Sequence, residues 1–459
     1  MTPGPEAPGS EGAVPADRHG GTAAGPAPGR DVLAERSLRG RRILYALWDG
    51  GGNVATTLLL LGDLARCGAR VTVLSNDSVA DRVRAAGLEF TPYRLGPRHD
   101  PRSRETDVLK LWEARTPAES SRLIRDRVMF GPAEALCRDT LRAAEECGAE
   151  LLAADYTLFG PLVAAERLGL PHLVLMNTIY PLPTAALAGL RAARSGPFTY
   201  LFTRMLAQGL PRLNEVRERF GLAPLATAQE QYERADATVV TCHPRFDPAS
   251  ASVPPHVHYV GPQVDPPVRV PARLPGPARR VLVSLSTTDQ PEEALLVDAL
   301  VGAAELVGAA EGGAGIEFEF LGGVLGRRAE LPANVIARGY VPLEERLPYA
   351  DLVLHHGGFG TTTRALLWGV PAIIFGSFQE QFNSARRLDE LGAGTGMRRD
   401  SDPADIAAAI LDHTGAPRRA AARDCARALH AEHDRHAAVR IFAEQAARAD
   451  RGAPQVLSP

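Results

Sequence analysis

The stretch richest in possible chemistry is HHGGFGTTTRALLWGVPAIIFGSFQEQFNSARRLDELGAG, residues 355–394. An apolar run, residues 352–354, leads into Gly357, Gly358 and Gly360. Thr361, Thr362 and Thr363 then stand where a helix begins, ahead of Ala365, Leu366 and Leu367. Gly369-Val370-Pro371 ends that helix, residues 372–375 start a buried strand, and Glu380-Gln381 open the next helix. Amides at a helix start point outward unpaired, and glycines let a ligand come close to them. With His356 alongside, the turn suits a diphosphate.

A second glycine turn lies near the start. Residues 42–48 read as a strand, Asp49 to Asn53 as a turn, 54–66 as a leucine-faced helix and 71–74 as a second strand. This is the first unit of a doubly wound parallel sheet. The turn also fits the dinucleotide fingerprint GxGxxA over Gly50, Gly52 and Ala55, with Asp77 past the second strand, as an NAD-dependent oxidoreductase would need. Against that reading, no hydride chemistry is legible in the second half, and the stronger nucleotide signature lies there. Strand–helix alternation continues at residues 151–154, 161–168 and 173–176. A proline-rich run from Pro262 reads as a linker, and the α/β pattern restarts at Arg280.

Length and composition agree with this. A chain of 459 residues is long for one core and comfortable for two. A formal net charge of −3 offers no electrostatic case for nucleic acid or an anionic membrane. Five scattered cysteines, with no CxxC, suit a reducing cytosol and give no zinc spacing. The Pro, Gly and Ala of the first forty residues bury too little surface to offset ordering entropy, so disorder is expected there. That stretch lacks the basic start and continuous apolar run of a signal peptide, and no run of about 20 apolar residues that could span a bilayer is expected. A cytoplasmic protein, monomeric or homodimeric, is expected.

The combination of His356, GxGT, GVP and Glu380-Gln381 in one helix–strand–helix unit closely resembles the donor-binding signature of GT-B glycosyltransferases of the macrolide-type and UDP-glycosyltransferase-like natural-product group. VLVSLSTT (residues 281–288), GYVPLEERLPYADLVL (339–354) and HYVGP (258–262) extend the match, which spans roughly residues 41–447. The resemblance implies an α/β fold of two Rossmann-like domains facing across a cleft. Residues 1–40 would be a disordered tail, 41–261 an acceptor-binding domain, 262–278 the linker and 279–425 the nucleotide-sugar-binding domain. Residues 426–450 would form a helix packing back on the first domain, followed by a tail, 451–459.

It implies inverting, metal-independent transfer of a hexose or deoxyhexose from a UDP- or dTDP-sugar to a small aromatic or apolar acceptor. The nucleotide sugar would be a co-substrate, with no cofactor. Thr287 matches a phosphate-touching hydroxyl, Tyr340 the aromatic beside the base, and the Val341 backbone its edge contact. His356, Gly358, Gly360 and Thr361 match the diphosphate cradle, and Glu380-Gln381 the pair that binds sugar hydroxyls. Asp400-Ser401-Asp402 spells a DxD, but Asp402-Pro403 reads as a helix cap rather than a metal ligand.

Two positions depart from the family pattern. Arg364 stands where many relatives carry a ribose-binding Glu, which makes a thymidine nucleotide as plausible as a uridine one. Asn53 stands where relatives carry the catalytic His or, in some branches, Asp, and a neutral amide is no base. Asp155 is placed like the carboxylate that orients that His. The candidates for proton transfer are therefore Asp155, directly or through a water with Asn53 orienting the acceptor; Asp49; or no protein base, with an acidic acceptor. A homologue without catalysis, acting as a partner or activator, is the alternative that Asn53 supports.

Overall fold

Among the described residues thirteen short strands, most of them apolar runs of four to six residues, form two sheets in which every pairing is parallel. Parallel sheets carry helices on both faces, so their strands read as continuous apolar runs rather than alternating ones. The computed structural model describes residues 32–452 except 115, 185–195, 265–278, 286–290, 327–329 and 378. The first sheet holds β1 (Arg42–Ala46), β2 (Arg70–Ser75), β3 (Glu89–Pro92), β4 (Leu151–Asp155), β5 (His172–Met176), β6 (Ala237–Val240) and β7 (Val257–Tyr259), in the order β3-β2-β1-β4-β5-β6-β7. The second holds β8 (Arg279–Ser284), β9 (Ile316–Phe320), β10 (Val335–Ala337), β11 (Leu352–His355), β12 (Ala372–Phe375) and β13 (Gly394–Met397), in the order β10-β9-β8-β11-β12-β13.

Each chain path starts mid-sheet, runs to one edge and returns to the other side of its first strand. The crevice at the carboxyl ends of the two central strands is where such sheets bind ligands. In the first sheet that point lies between β1 and β4, which end at the Asp49 turn and at Asp155. In the second it lies between β8 and β11, which ends at His355. Both glycine turns thus sit at switch points. The halves also pack directly, with Phe246 edge-on to Phe359 at 6.3 Å.

Two boundaries differ from the sequence expectation. Residues 32–40 are not tail: Val32–Leu38 is a helix whose Ala34 and Leu38 are buried against Val439 and Phe442 of the final helix. The partner surface lies some four hundred residues away in sequence, so composition alone cannot reveal it. The crossing back to the first sheet also begins later than residue 426. Helix Ala416–Glu432 stays with the second half, against Phe359–Leu367, and only Ala437–Gly452 packs under the first sheet. Its bridgehead is Arg435, which donates to both oxygens of the buried Asp63 at 3.0 Å. Of the expected linker and tails, residues 265–278, 1–31 and 453–459 lie outside the described residues. Among the described residues no helix is long and apolar enough to cross a membrane.

Candidate active site

Helix Phe359–Leu367 begins directly after β11, and Gly358 is its cap residue. Gly357 has φ +93°, and a Cβ there would stand 2.8 Å from both Gln381 Cβ and Ile374 Cγ2, so only glycine fits. A Cβ on Gly358 would meet His356 Nε2 at 2.6 Å. These bare positions bring the imidazole flat against the turn. His355 is turned inward, its Nδ1 accepting from the Gly357 amide at 3.1 Å. His356 Nδ1 is buried with no hydrogen-bond partner among the described residues. Burial, and then the nearby Arg399 cation, lower its pKa to about 4 against an opposing contact with the Ser284 backbone, so the ring is neutral near pH 7. Thr362 and Thr363 bond back to carbonyls of their own helix, to Gly358 and to Phe359 and Gly360. Thr361 makes no such back-bond, and its amide stands with those of Gly358 and Gly360 at the helix start.

On one side of this turn lies Tyr340, 82 % exposed, followed by Val341 and the single helical turn Leu343–Arg346. Glu344 of that turn is paired with Arg364 Nε, and Arg364 Nη1 donates to Gly360 O at 3.1 Å. The position expected to carry a carboxylate therefore carries a cation, and a carboxylate reaches it from the neighbouring loop. On the other side, helix Gln379–Glu390 opens with Glu380 and Gln381. Gln381 Oε1 accepts from the Ser377 amide at 2.6 Å. Glu380 Oε1 accepts from Thr178 Oγ1 at 2.7 Å, a bond from the end of β5 across the cleft. Burial raises the Glu380 pKa, and the Thr178 bond opposes the rise.

The first-sheet turn faces this assembly. Asn53 lies in the first turn of helix Gly52–Arg66, behind Gly51 at φ +79°. Its Nδ2 donates to Trp48 O at 2.9 Å and Asp155 Oδ2 at 3.2 Å, and its Oδ1 accepts from the Gly50 amide at 3.0 Å. These partners fix which end of the amide is oxygen. Asp155 is 3 % exposed; Tyr45 OH donates to its Oδ1 at 2.6 Å and the Trp48 amide to its Oδ2 at 2.9 Å. Burial raises its pKa to about 7 despite those bonds. Asp155 therefore stands behind Asn53, holding it. Asp49 is turned the other way, toward the β2 side, where it accepts from Ser78 Oγ at 2.7 Å and Arg82 Nη2 at 3.1 Å. A Cβ on Gly360 would lie only 3.6 Å from Gly52 O. The two helix starts meet.

Comparison with known proteins shows what this arrangement is similar to. Residues 322–447 match the model of the erythromycin biosynthesis protein CIII-like C-terminal domain, which takes in the whole glycine turn and Glu380. The chain is 26 % identical over 386 residues to 4'-demethylrebeccamycin synthase of Lentzea aerocolonigenes, covering 78 % of this chain and 88 % of that one. It is 27 % identical over 367 residues to aklavinone 7-beta-L-rhodosaminyltransferase of Streptomyces galilaeus, covering 72 % and 78 %. The spinosyn rhamnosyltransferase SpnG, complexed with thymidine diphosphate, shares the fold with a TM-score of 0.61 at 21 % identity, over 88 % of this chain and 99 % of that one. The chain has the GT-B fold and is a glycosyltransferase, similar along most of its length to natural-product transferases.

Several residues of this glycosyltransferase's cleft carried no signal in the sequence. Arg399, which donates to Ser377 Oγ at 3.0 Å and lies near His356, comes from the loop after β13. Thr178, Tyr45 and Glu344 each reach the site from strands or loops distant in sequence. His99 stacks on Trp48 with ring centroids 4.2 Å apart, and its Nε2 donates to Asp49 O at 2.9 Å, which pins the loop after β3 to the turn. A lone histidine in a charged loop gives no such hint. Asp400 of the DxD is bound to Arg398, and Asp402 caps helix Pro403–His413 by position, without a side-chain cap bond. Thr287 lies outside the described residues.

Proposed function

We propose that this glycosyltransferase moves a hexose or deoxyhexose, with inversion and without a metal, from a UDP- or dTDP-sugar to a small aromatic or apolar acceptor. The observation that carries the reading is the meeting of Gly360 and Gly52. It supports a leaving diphosphate held by helix-start amides beside a turn that orients the acceptor. The bond from the anomeric carbon to phosphate breaks, its electron pair going to the diphosphate. The Gly358, Gly360 and Thr361 amides and His356 Nε2, the ring nitrogen at the turn, stabilise that charge, a task preorganised dipoles perform well in a dry site. Glu380 and Gln381 hold the sugar hydroxyls, and the acceptor attacks the opposite face of the ring.

Asn53 keeps one lone pair of Oδ1 beyond its bond from Gly50, enough to orient an acceptor O–H or N–H but not to take its proton. The acceptor is accordingly an acidic aromatic O–H or N–H that releases its proton to water, with Asp155 as the positioning residue behind Asn53. Thymidine diphosphate is the ligand of SpnG, and Arg364 removes the helix carboxylate a ribose diol would use. Both observations support a thymidine nucleotide.

His356→Ala is the test. Removing a hydrogen bond to a charged group usually costs about 1.5–3 kcal/mol, so affinity for thymidine or uridine diphosphate should fall tenfold or more by calorimetry. Unchanged affinity would sink the cradle. Nucleotide binding without sugar transfer, and without slow donor hydrolysis across a panel of aromatic acceptors, would favour the non-catalytic partner instead.

A further inference from the structure

β9 reads Ile316-Glu317-Phe318-Glu319-Phe320. Ile316, Phe318 and Phe320 enter the apolar layer that also holds Leu300 and Val307, which turns Glu317 and Glu319 to the opposite face. Glu319 is nonetheless completely buried there. A carboxylate taken out of water is strongly unfavourable unless cations meet it. Three arginines do so. Arg346 Nη2 donates to Oε2 at 2.8 Å, Arg280 Nε lies 3.6 Å from the same oxygen, and Arg338 Nε contacts Oε1. Arg280 has a second partner in Glu317 at 2.8 Å.

Arg338 and Arg346 bracket residues 339–345, the loop of Tyr340, Val341 and Glu344. The entry to this loop is tied to the sheet by backbone bonds. The Arg338 amide donates to Phe320 O at 2.9 Å, and the Gly323 and Gly322 amides donate to Arg338 O at 3.0 Å and Gly339 O at 3.1 Å. The exit is the four-residue turn Leu343–Arg346. Its last side chain lies over the Tyr349 ring at 5.3 Å and reaches the same buried carboxylate. One residue beneath the loop thus pins both ends while Tyr340 stands out above. As a stability device the cluster is poor, since apolar side chains of similar volume commonly do as well. What it supplies is fixed geometry.

We propose that Glu319 is a positioning residue for the nucleoside end of the donor site. It holds loop 339–345 so that Tyr340 and the Val341 backbone meet the base of a pyrimidine nucleoside diphosphate. The proposal rests on the reading of Tyr340 and Val341 as the base platform. Its test compares uridine and thymidine diphosphate, which use cradle and platform, with inorganic pyrophosphate, which can use only the cradle. Glu319→Gln keeps the shape and removes the charge; Arg338→Met and Arg346→Met remove one arm each and leave the carboxylate with its other cations.

Each folded variant should bind the nucleoside diphosphates about tenfold more weakly, a loss of about 1.4 kcal/mol, with pyrophosphate affinity and kcat at saturating donor unchanged. If Glu319→Gln does not fold, the single-arm variants decide. Unchanged nucleotide affinity in both single-arm variants, or an equal loss for pyrophosphate, overturns the proposal. Tyr340→Ala on the native background separates the two levels. A selective loss there without one in the arm variants overturns the clamp alone, and no loss there overturns the platform reading itself.

Discussion

Replacing Asp155 by asparagine separates holding from proton transfer, and the structure sets what each would look like. An asparagine whose oxygen takes the Oδ2 place still accepts from the Trp48 amide and Asn53 Nδ2. Its nitrogen can donate to the Tyr45 oxygen if that hydroxyl turns toward Thr57, its other near neighbour. The turn should therefore keep its shape. Burial raises the native carboxyl from 3.8 to about 7. Between about pH 4 and pH 7 the folded protein holds a proton that the unfolded chain has released, so stability falls as pH rises through that window. Above it the native protein carries a deficit on the order of 4 kcal/mol that asparagine lacks. A domain has only about 5–15 kcal/mol in total, so the effect is large. Urea denaturation at a series of pH values should find the two proteins alike near pH 4 and Asp155→Asn the more stable by pH 8. Turnover should fall less than about tenfold. A stability difference that does not change with pH would refute the burial argument. A loss of a hundredfold or more, the range for a missing general base, would make Asp155 the proton acceptor and refute the positioning role.

Asp49→Asn takes the charge from a buried carboxylate whose partner Arg82 is itself 42 % exposed and should cost about 1 kcal/mol of stability in thermal or urea unfolding, while turnover per folded molecule stays near native; a folded but inactive variant would make Asp49 the base. Gly357→Ala places a Cβ against Gln381 and Ile374 at a positive φ, and should cost at least about 2 kcal/mol and raise the donor KM as Gln381 shifts. Phe442→Ala, in the final described helix, should cost about 3–5 kcal/mol in urea unfolding, because it opens the layer shared with Leu38 of helix Val32–Leu38; a loss under 1 kcal/mol would deny that these two helices close the first half together.

Local pattern determined a good deal of this protein. Apolar runs between glycine and proline punctuation gave the parallel α/β class, because a strand covered on both faces needs little else. The glycine turn at residues 357–360 was legible because only glycine tolerates its backbone and its close neighbours, and Glu380-Gln381 because they open the next helix of the same unit. Asn53 was legible as a departure, but its meaning was not. Whether a carboxylate holds, pairs or exchanges a proton depends on what surrounds it. Asp155 and Asp49 look alike in sequence, yet one sits behind Asn53 with a raised pKa and the other is bound to Arg82. The helix at Val32–Leu38 was hidden in a Pro/Gly/Ala-rich start because its apolar partner is the last helix. Glu344 beside Arg364, Thr178 on Glu380 and the three arginines around Glu319 were likewise out of reach. Each joins residues from separate elements, and no period or spacing along one strand or helix records a contact made only when those elements fold against each other.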